Sequence, residues 1–139
     1  MTVPTISHAR DRGTILVAED EIITRSTLAQ FLRQAGHAVI EANSADEAAA
    51  VLHSAQRVDL VITDLETPGR LDGVDLIHLL RADFPQVRVI VAAGPAKDPA
   101  IRRKVDGLFE KPYPVETVVT YATRLLAERD GNETHTETA

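Results

Sequence analysis

A doubly wound α/β fold is predicted by the regular alternation of short apolar runs with longer segments of helical periodicity along this chain. Five such runs recur, and each is too short to be a helix of ordinary length. The runs are continuously apolar, as is typical of parallel strands whose two faces are both covered. Helical segments between the strands supply that cover, so the pattern indicates βα units around one parallel sheet.

The first βα unit is predicted from residue 14 onward. Residues 14–18 form a buried strand, and the helix after it has an apolar face of Leu28, Phe31, Leu32 and Ala35. Gly36 is a suitable end for this helix because glycine readily adopts the left-handed conformation found there. Residues 38–42 form the second strand.

The second helix is predicted to begin at Ser44. A serine at the N-cap with Glu47 three residues later is the pattern of a capping box. Ala48, Val51 and Leu52 give this helix its apolar face, and residues 60–63 form the third strand.

A loop over residues 64–71 precedes the third helix. Asp72 is its predicted N-cap, and Pro85 ends it. Its inward positions are Val74, Ile77 and Leu80. Residues 87–92 form the fourth strand.

The fourth helix is predicted to be short, because only 12 residues separate Gly94 from Gly107. Asp98 and Pro99 suit its N-cap and first turn. Residues 108–110 form the fifth strand, and Pro114 opens the last helix. The apolar stripe of this helix consists of Val115, Val118, Val119, Ala122, Leu125 and Leu126.

Five βα units of this length are most simply arranged as a flavodoxin-like doubly wound sheet of strand order 2-1-3-4-5, with helices on both faces. The expected domain covers residues 13–129. Residues 1–12 and 130–139 are polar and are expected to be tails, with Gly131 as a helix stop.

Composition limits the classes of function. The chain of 139 residues has no cysteine, which excludes disulfides and thiolate chemistry. Its net charge of −6 argues against nucleic acid as a partner, and the short basic cluster 102–104 is expected to be a solvated helix face. No stretch is apolar enough for a membrane span and no signal peptide is evident, so we expect a cytoplasmic protein without membrane contact.

Charged residues follow three of the predicted strands. Glu19 and Asp20 follow the first, Asp64 the third and Lys111 the fifth. The carboxyl ends of parallel strands form the ligand-binding edge of such sheets, and strands one and three are neighbours in the expected order. Clustered carboxylates call for a divalent cation such as Mg²⁺. Asp64 could then act as a nucleophile toward a phosphoryl group, with Lys111 as a counter-charge.

The motifs that carry these residues resemble the receiver domain of two-component response regulators. Ile15-Leu16-Val17-Ala18-Glu19-Asp20-Glu21 is similar to that family's first strand and acidic pair, and residues 64–73 (Asp-Leu-Glu-Thr-Pro-Gly-Arg-Leu-Asp-Gly) to its phospho-acceptor loop. Glu110-Lys111-Pro112-Tyr113 is similar to its lysine-proline motif. The resemblance covers residues 13–129, and we expect a stand-alone receiver.

The resemblance implies a role for each residue. Asp64 would accept a phosphoryl group from a histidine kinase or a histidine phosphotransfer protein. Asp20, Asp64 and the main-chain carbonyl of Glu66 would bind Mg²⁺, and Glu19 would bind it through water. Lys111 would hold the phosphoryl group. Such a protein is not an enzyme toward other substrates, although the family catalyses its own dephosphorylation. It would act by protein contact, in a relay or as a phosphate sink, and it could form a homodimer.

Two positions depart from the family pattern. Ala92 stands where the family usually has Ser or Thr, and Leu108 stands where it usually has a switch Tyr or Phe. Phosphorylation itself does not need these groups. We expect that the missing hydroxyl, whose charge-assisted hydrogen bond is worth about 1.5–3 kcal/mol, weakens the coupling of phosphate to residues 93–106.

The sequence leaves the role of Glu66 open and indicates no role in the site for Arg70 or the histidines. The carboxylate of Glu66 could orient water at the phosphate, repel the phosphoryl group or be merely solvated. The loop is one residue longer than the common form, with Arg70 added, and Arg70 is expected to be a solvated surface residue. The histidines, which are expected to be structural or surface residues, are His8, His37, His53, His78 and His135.

The sequence leaves two alternatives to the function of a phospho-accepting receiver. A pseudo-receiver that docks a partner without phosphorylation is favoured by Ala92 and Leu108, but the retained charged residues oppose it. A haloacid-dehalogenase-like phosphatase also uses an aspartate nucleophile and Mg²⁺. Its motif, however, needs a second aspartate where Glu66 stands, and it follows the first strand rather than the third.

Overall fold

The computed structural model describes residues 12–94 and 99–138, with side chains of the last helix described as far as Glu128. The strands are β1 (Thr14–Ala18), β2 (Ala38–Ala42), β3 (Leu60–Asp64), β4 (Arg88–Ala93) and β5 (Gly107–Glu110). The helices are α1 (Ile22–Gln34), α2 (Ala45–His53), α3 (Gly73–Asp83), α4 (Pro99–Arg102) and α5 (Val115–Thr138).

All five strands form one parallel sheet in the order β2-β1-β3-β4-β5. The predicted fold class and strand order are therefore confirmed. β3 lies at the centre and is buried along its whole length. Its last residue, Asp64, is in register with Ala92 of β4, which fixes both residues at the same edge of the sheet.

Apolar side chains cover both faces of the sheet. On one face, strand residues such as Leu16 and Val61 pack with α2 and α3. On the other face, Ile15 and Leu60 pack with α1 and α5. Successive side chains of a strand point to opposite faces, so the continuous apolar strands supply both clusters. Each fully buried Leu or Ile contributes about 1.5–3 kcal/mol relative to exposure.

Side-chain caps fix the first turns of α2 and α3. The hydroxyl of Ser44 accepts from the Glu47 N–H at 3.1 Å, as predicted. The carboxylate of Glu47, however, accepts from the Asn43 N–H rather than from Ser44, so the predicted capping box is incomplete. A complete box occurs at α3, where Asp72 is the predicted cap and Asp75 reciprocates.

Several predicted details are wrong. Ala35 is exposed because it lies beyond the end of α1, and Ala29 is buried instead. Gly36 ends that helix turn as predicted, with φ of 101°. Gly131 does not stop α5, whose backbone stays helical through Thr138 over most of the predicted C-terminal tail. Glycine in a helix costs only about 1 kcal/mol relative to alanine, and no proline follows to enforce an end.

Two predictions fall on parts of the chain that are not described. Residues 1–11, most of the predicted N-terminal tail, and Asp98, the predicted cap of α4, lie outside the described residues. The prediction that α4 is short is confirmed, since α4 spans four residues. None of the helices in the described part of the chain is long and apolar enough to cross a bilayer.

Candidate phosphoryl and metal site

The charged residues of the expected site are held by the hydrogen-bond ladder of the sheet. The N–H of Glu19 donates to Ala42 O at 3.0 Å, one position beyond β1. The N–H of Lys111 donates to Ala93 O at 2.8 Å, one position beyond β5. Asp64 is itself the last residue of β3. The hydrogen bonds of the sheet therefore fix the backbone positions from which these side chains extend.

The structure brings three carboxylates together at this edge. One oxygen each of Glu19, Asp20 and Asp64 lies within 4.8 Å of the others, which makes this the acidic group suited to a metal among the described residues. Glu19 and Asp64 are buried, at 5% and 4% exposure, whereas Asp20 is exposed. Two carboxylates of the cluster are therefore shielded from solvent, and the third, that of Asp20, is open to it.

Lys111 pairs directly with Asp64. Its Nζ lies 2.6 Å from Asp64 Oδ2, and the other carboxylate oxygen, Oδ1, accepts from the Glu66 N–H at 3.0 Å. Lys111 is partly exposed, so the ammonium group can reach both the buried aspartate and a molecule in the opening. The aspartate is consequently fixed in orientation by one donor on each oxygen.

The surroundings of the site raise the pKa of both Glu19 and Lys111. Burial raises the pKa of Glu19 above 4.5, and nearby Asp64 and Asp20 raise it further, against the lowering effects of the Glu21 N–H bond and Lys111. Burial lowers the pKa of Lys111, but its hydrogen bond to Asp64 and the attraction of Asp64 and Glu19 together raise it above 10.5. Lys111 therefore stays protonated, and the site contains more carboxylates than ammonium groups.

The same charged groups also affect the pKa of Tyr113. Burial, followed by the effect of Glu19, raises its pKa to about 12. The phenol therefore stays neutral at physiological pH. Its position in the Lys-Pro-Tyr motif was noted in the sequence, but nothing there indicated its coupling to Glu19.

The donor set fits Mg²⁺. That ion prefers oxygen ligands, takes one or two carboxylates and keeps several waters, and the exposed side of Asp20 leaves room for them. Burial, followed by the charges of Asp64 and Asp20, raises the pKa of Glu19, so the charged form of this carboxylate would gain from more positive charge nearby. A divalent cation held by Asp20, Asp64 and the Glu66 carbonyl would supply it.

Arg25 is a residue of this region that the sequence did not reveal. From α1 it donates through Nη1 to Glu19 O at 3.0 Å and pairs through Nε with Glu41 of β2 at 3.2 Å. It thereby ties the acidic turn after β1 to the neighbouring strand. A lone arginine in an amphipathic helix carries no signal of such a bridge.

The two positions that depart from the receiver pattern are apolar in the structure as well. Ala92 is 5% exposed and in register with Asp64, so the strand residue beside Asp64 carries no hydroxyl group. Leu108 packs on the α2–α3 side of the sheet. Phe109, its neighbour, stacks edge-on against Tyr121 of α5 with ring centroids 5.5 Å apart.

The described histidines lie away from the acidic cluster. His37 is buried, accepts from the Gly13 N–H through Nδ1 and contacts Thr123 through Nε2 at 2.9 Å, which is a structural role. His53 and His78 sit on exposed helix positions. His8 and the side chain of His135 lie outside the described residues.

Comparison with known proteins identifies the class. Residues 15–123 match the response regulator receiver domain family, which is most of the chain, and the chain belongs to that family. A solved CheY-like receiver domain protein from Methanospirillum hungatei superposes with a TM-score of 0.78 over 86% of this chain and 98% of that one, at 20% identity.

Two curated relatives are regulatory proteins by name. The chain is 31% identical over 120 residues to the probable transcriptional regulatory protein TcrX of Mycobacterium tuberculosis, covering 81% of this chain and 49% of that protein. It is 30% identical over 117 residues to the nitrogen assimilation regulatory protein NtrX of Azorhizobium caulinodans, covering 81% of this chain and 26% of that protein. The chain thus spans half or less of these two relatives.

Proposed function

We propose that this chain is a phospho-accepting receiver in which Asp64 takes a phosphoryl group from a histidine kinase or a histidine phosphotransfer protein. The observation that carries the proposal is the placement of the Asp64 carboxylate between the Lys111 ammonium and the carboxylates of Glu19 and Asp20. A buried, oriented nucleophile beside a cation-binding cluster is what phosphoryl transfer to a carboxylate requires.

The transfer exchanges one bond for another. A carboxylate oxygen of Asp64 attacks phosphorus, the phosphorus–nitrogen bond of the phosphohistidine breaks, and the imidazole leaves with the bonding electron pair and takes up a proton. Lys111 remains beside Asp64 and neutralises a phosphoryl oxygen. Asp20, Asp64 and the main-chain carbonyl of Glu66 would hold Mg²⁺, with Glu19 reaching it through water, and the ion would supply further positive charge.

A protein donor suits the surroundings of the site. An open cavity of about 470 Å³ lies beside Lys111 and Tyr113 and is lined on the other side by the start of α1. There Ile22 and Ile23 are 64% and 71% exposed. Large exposed apolar side chains next to a reactive centre are typical of a surface that a partner covers. The receiver itself is proposed to comprise residues 13–129.

The direct test is phosphorylation by a small donor. With acetyl phosphate and Mg²⁺, intact-mass measurement should show the gain of one phosphoryl group, and Asp64→Asn should abolish it. Asp72→Asn is the matched control, because it makes the same change nearby in an exposed cap where Asn serves as well as Asp. It should be phosphorylated like the unmodified chain.

A second candidate function is a pseudo-receiver that binds a partner without phosphorylation. The absence of a hydroxyl at Ala92 and of an aromatic ring at Leu108 favours it. The same experiment separates the two functions. If neither acetyl phosphate nor a cognate kinase modifies the chain, the phospho-acceptor proposal is overturned and the pseudo-receiver stands.

A further inference from the structure

The loop between β3 and α3 spans residues 65–72 and carries the Glu66 carbonyl. Its tip turns at Gly69, whose φ of 124° lies in the region that favours glycine. The loop begins at the phospho-acceptor and returns to it, because Gly73 N–H donates to Leu65 O at 3.0 Å. A loop closed at its base needs a further contact to hold its tip in one place.

That contact comes from Asp46, the second residue of α2. Its Oδ2 accepts from the Arg70 N–H at 2.9 Å, and its Oδ1 accepts from the Leu71 N–H at 3.2 Å. A Cβ placed on Gly69 would lie 2.4 Å from Asp46 Oδ2, so the carboxylate is seated directly against the turn. One side chain thus binds two successive backbone donors, one of them that of Arg70.

The contact is electrostatically favourable. Hydrogen bonds from neutral donors to a carboxylate are stronger than those between neutral groups. Asp46 also lies in the first turn of α2, where the helix dipole stabilises a negative charge. Its negative charge is therefore supported both by its own helix and by the loop that it holds.

We infer that Asp46 is a positioning residue for the metal site: by clamping residues 69–71 it limits the movement of the loop that carries the Glu66 carbonyl. The inference rests on the proposed function, since Glu66 is a metal ligand only there. The side-chain hydrogen bonds of Asp46 go to Arg70 and Leu71, so its effect on the site passes through the loop. Groups that orient metal ligands in this indirect way typically change affinity about 10–100-fold when they are removed.

The test compares Asp46→Ala with Glu47→Ala. Glu47 is the adjacent first-turn carboxylate of α2, but it accepts from Asn43 and not from the loop. Both changes should lower stability, through the loss of a first-turn charge. Only Asp46→Ala should speed amide exchange at Arg70 and Leu71 and weaken Mg²⁺ binding, by about tenfold, as followed by amide chemical shifts during Mg²⁺ titration. Asp46→Asn, which keeps one acceptor oxygen, should fall between.

The outcomes separate the inference from the proposed function. Unchanged Mg²⁺ affinity in Asp46→Ala, in a chain that binds Mg²⁺ normally, overturns the clamp alone. Equal weakening in Glu47→Ala also overturns it, since the effect would then be a general one of α2. If the unmodified chain binds no Mg²⁺, the proposed function fails and the clamp fails with it.

Discussion

The carboxyl ends of β1, β3 and β5 differ sharply from the carboxyl end of β4, although all four strands end at the same edge of one sheet. The first three present Glu19, Asp64 and Lys111 in one cluster of charged groups, in which Lys111 is hydrogen-bonded to Asp64. β4 presents Ala92, which is buried and without a polar atom in its side chain, and it leads to an α4 of only four residues.

This contrast separates two requirements that one site usually combines. Transfer of a phosphoryl group needs a nucleophile, a cation and counter-charges; the charged ends offer a candidate nucleophile, a lysine and carboxylates that could hold a cation. Transmission of the new state needs an element that makes different contacts before and after the transfer. The end of β4 lacks the hydroxyl that would make such a contact. Changes on the charged side should therefore affect chemistry, and changes at β4 should affect readout.

The largest effect is expected from Lys111→Met. The variant removes the ammonium group while Glu19, Asp20 and Asp64 remain, so the phosphoryl group would meet only negative side chains. Loss of one such electrostatic contact costs about a hundredfold in rate. The rate of phosphorylation by acetyl phosphate, followed by intact mass, measures it. Lys104→Met removes an exposed lysine elsewhere and should leave the rate unchanged. A normal rate in Lys111→Met would contradict the assignment of the chemistry to the charged strand ends.

Glu19→Gln should stabilise the metal-free protein. The folded-state pKa of Glu19 is raised, so its contribution to stability is complete below pH 4.5 and is lost as pH rises through the raised value. At neutral pH the charged form is therefore a cost, and the amide can keep the hydrogen bond to the Glu21 N–H. We expect a gain of about 1 kcal/mol in the free energy of unfolding without Mg²⁺.

Urea unfolding with and without Mg²⁺ measures this gain. Since the carboxylate helps to hold the cation, Mg²⁺ should stabilise Glu19→Gln less than it stabilises the unmodified chain. The exposed Glu128→Gln serves as the control and should match the unmodified chain in both conditions. A destabilised Glu19→Gln variant without Mg²⁺ would show that the acidic cluster is not under repulsion.

Ala92→Thr tests the end of β4, where a hydroxyl group should strengthen the response to phosphorylation. The added hydroxyl lies in register with Asp64 and can donate to a phosphoryl oxygen. Phosphorylation should then change amide exchange in residues 99–106 more than it does in the unmodified chain, while the rate of phosphorylation stays similar. Ala93→Ser adds a hydroxyl to the opposite face of the strand, and it should not restore the response. A large response in the unmodified chain would reveal another switch.

The sequence was sufficient for the fold and for the main residues of the site because both depend on strand periodicity. Continuous apolar strands predicted the sheet, and position at strand ends predicted where Asp64 and Lys111 would lie. The contacts of Arg25 and Asp46 were not predictable, because each joins elements that are distant in sequence through one polar side chain. The continuation of α5 past Gly131 was missed because the cost of one glycine does not decide where a helix ends.

The smallest expected effect concerns Tyr113, which tests whether the two regions are independent. Its pKa is raised to about 12 by burial and by Glu19, so the free energy of unfolding should fall as pH rises from about 10, where an unfolded tyrosine ionises, toward that value. Tyrosinate absorbance in a Tyr121→Phe background reports this single phenol. In that background Glu19→Gln should lower the pKa of Tyr113, because it removes the charge with the largest raising effect on that pKa, whereas Ala92→Thr should leave it unchanged. A shift with Ala92→Thr would mean that the end of β4 communicates with the charged cluster even without phosphate.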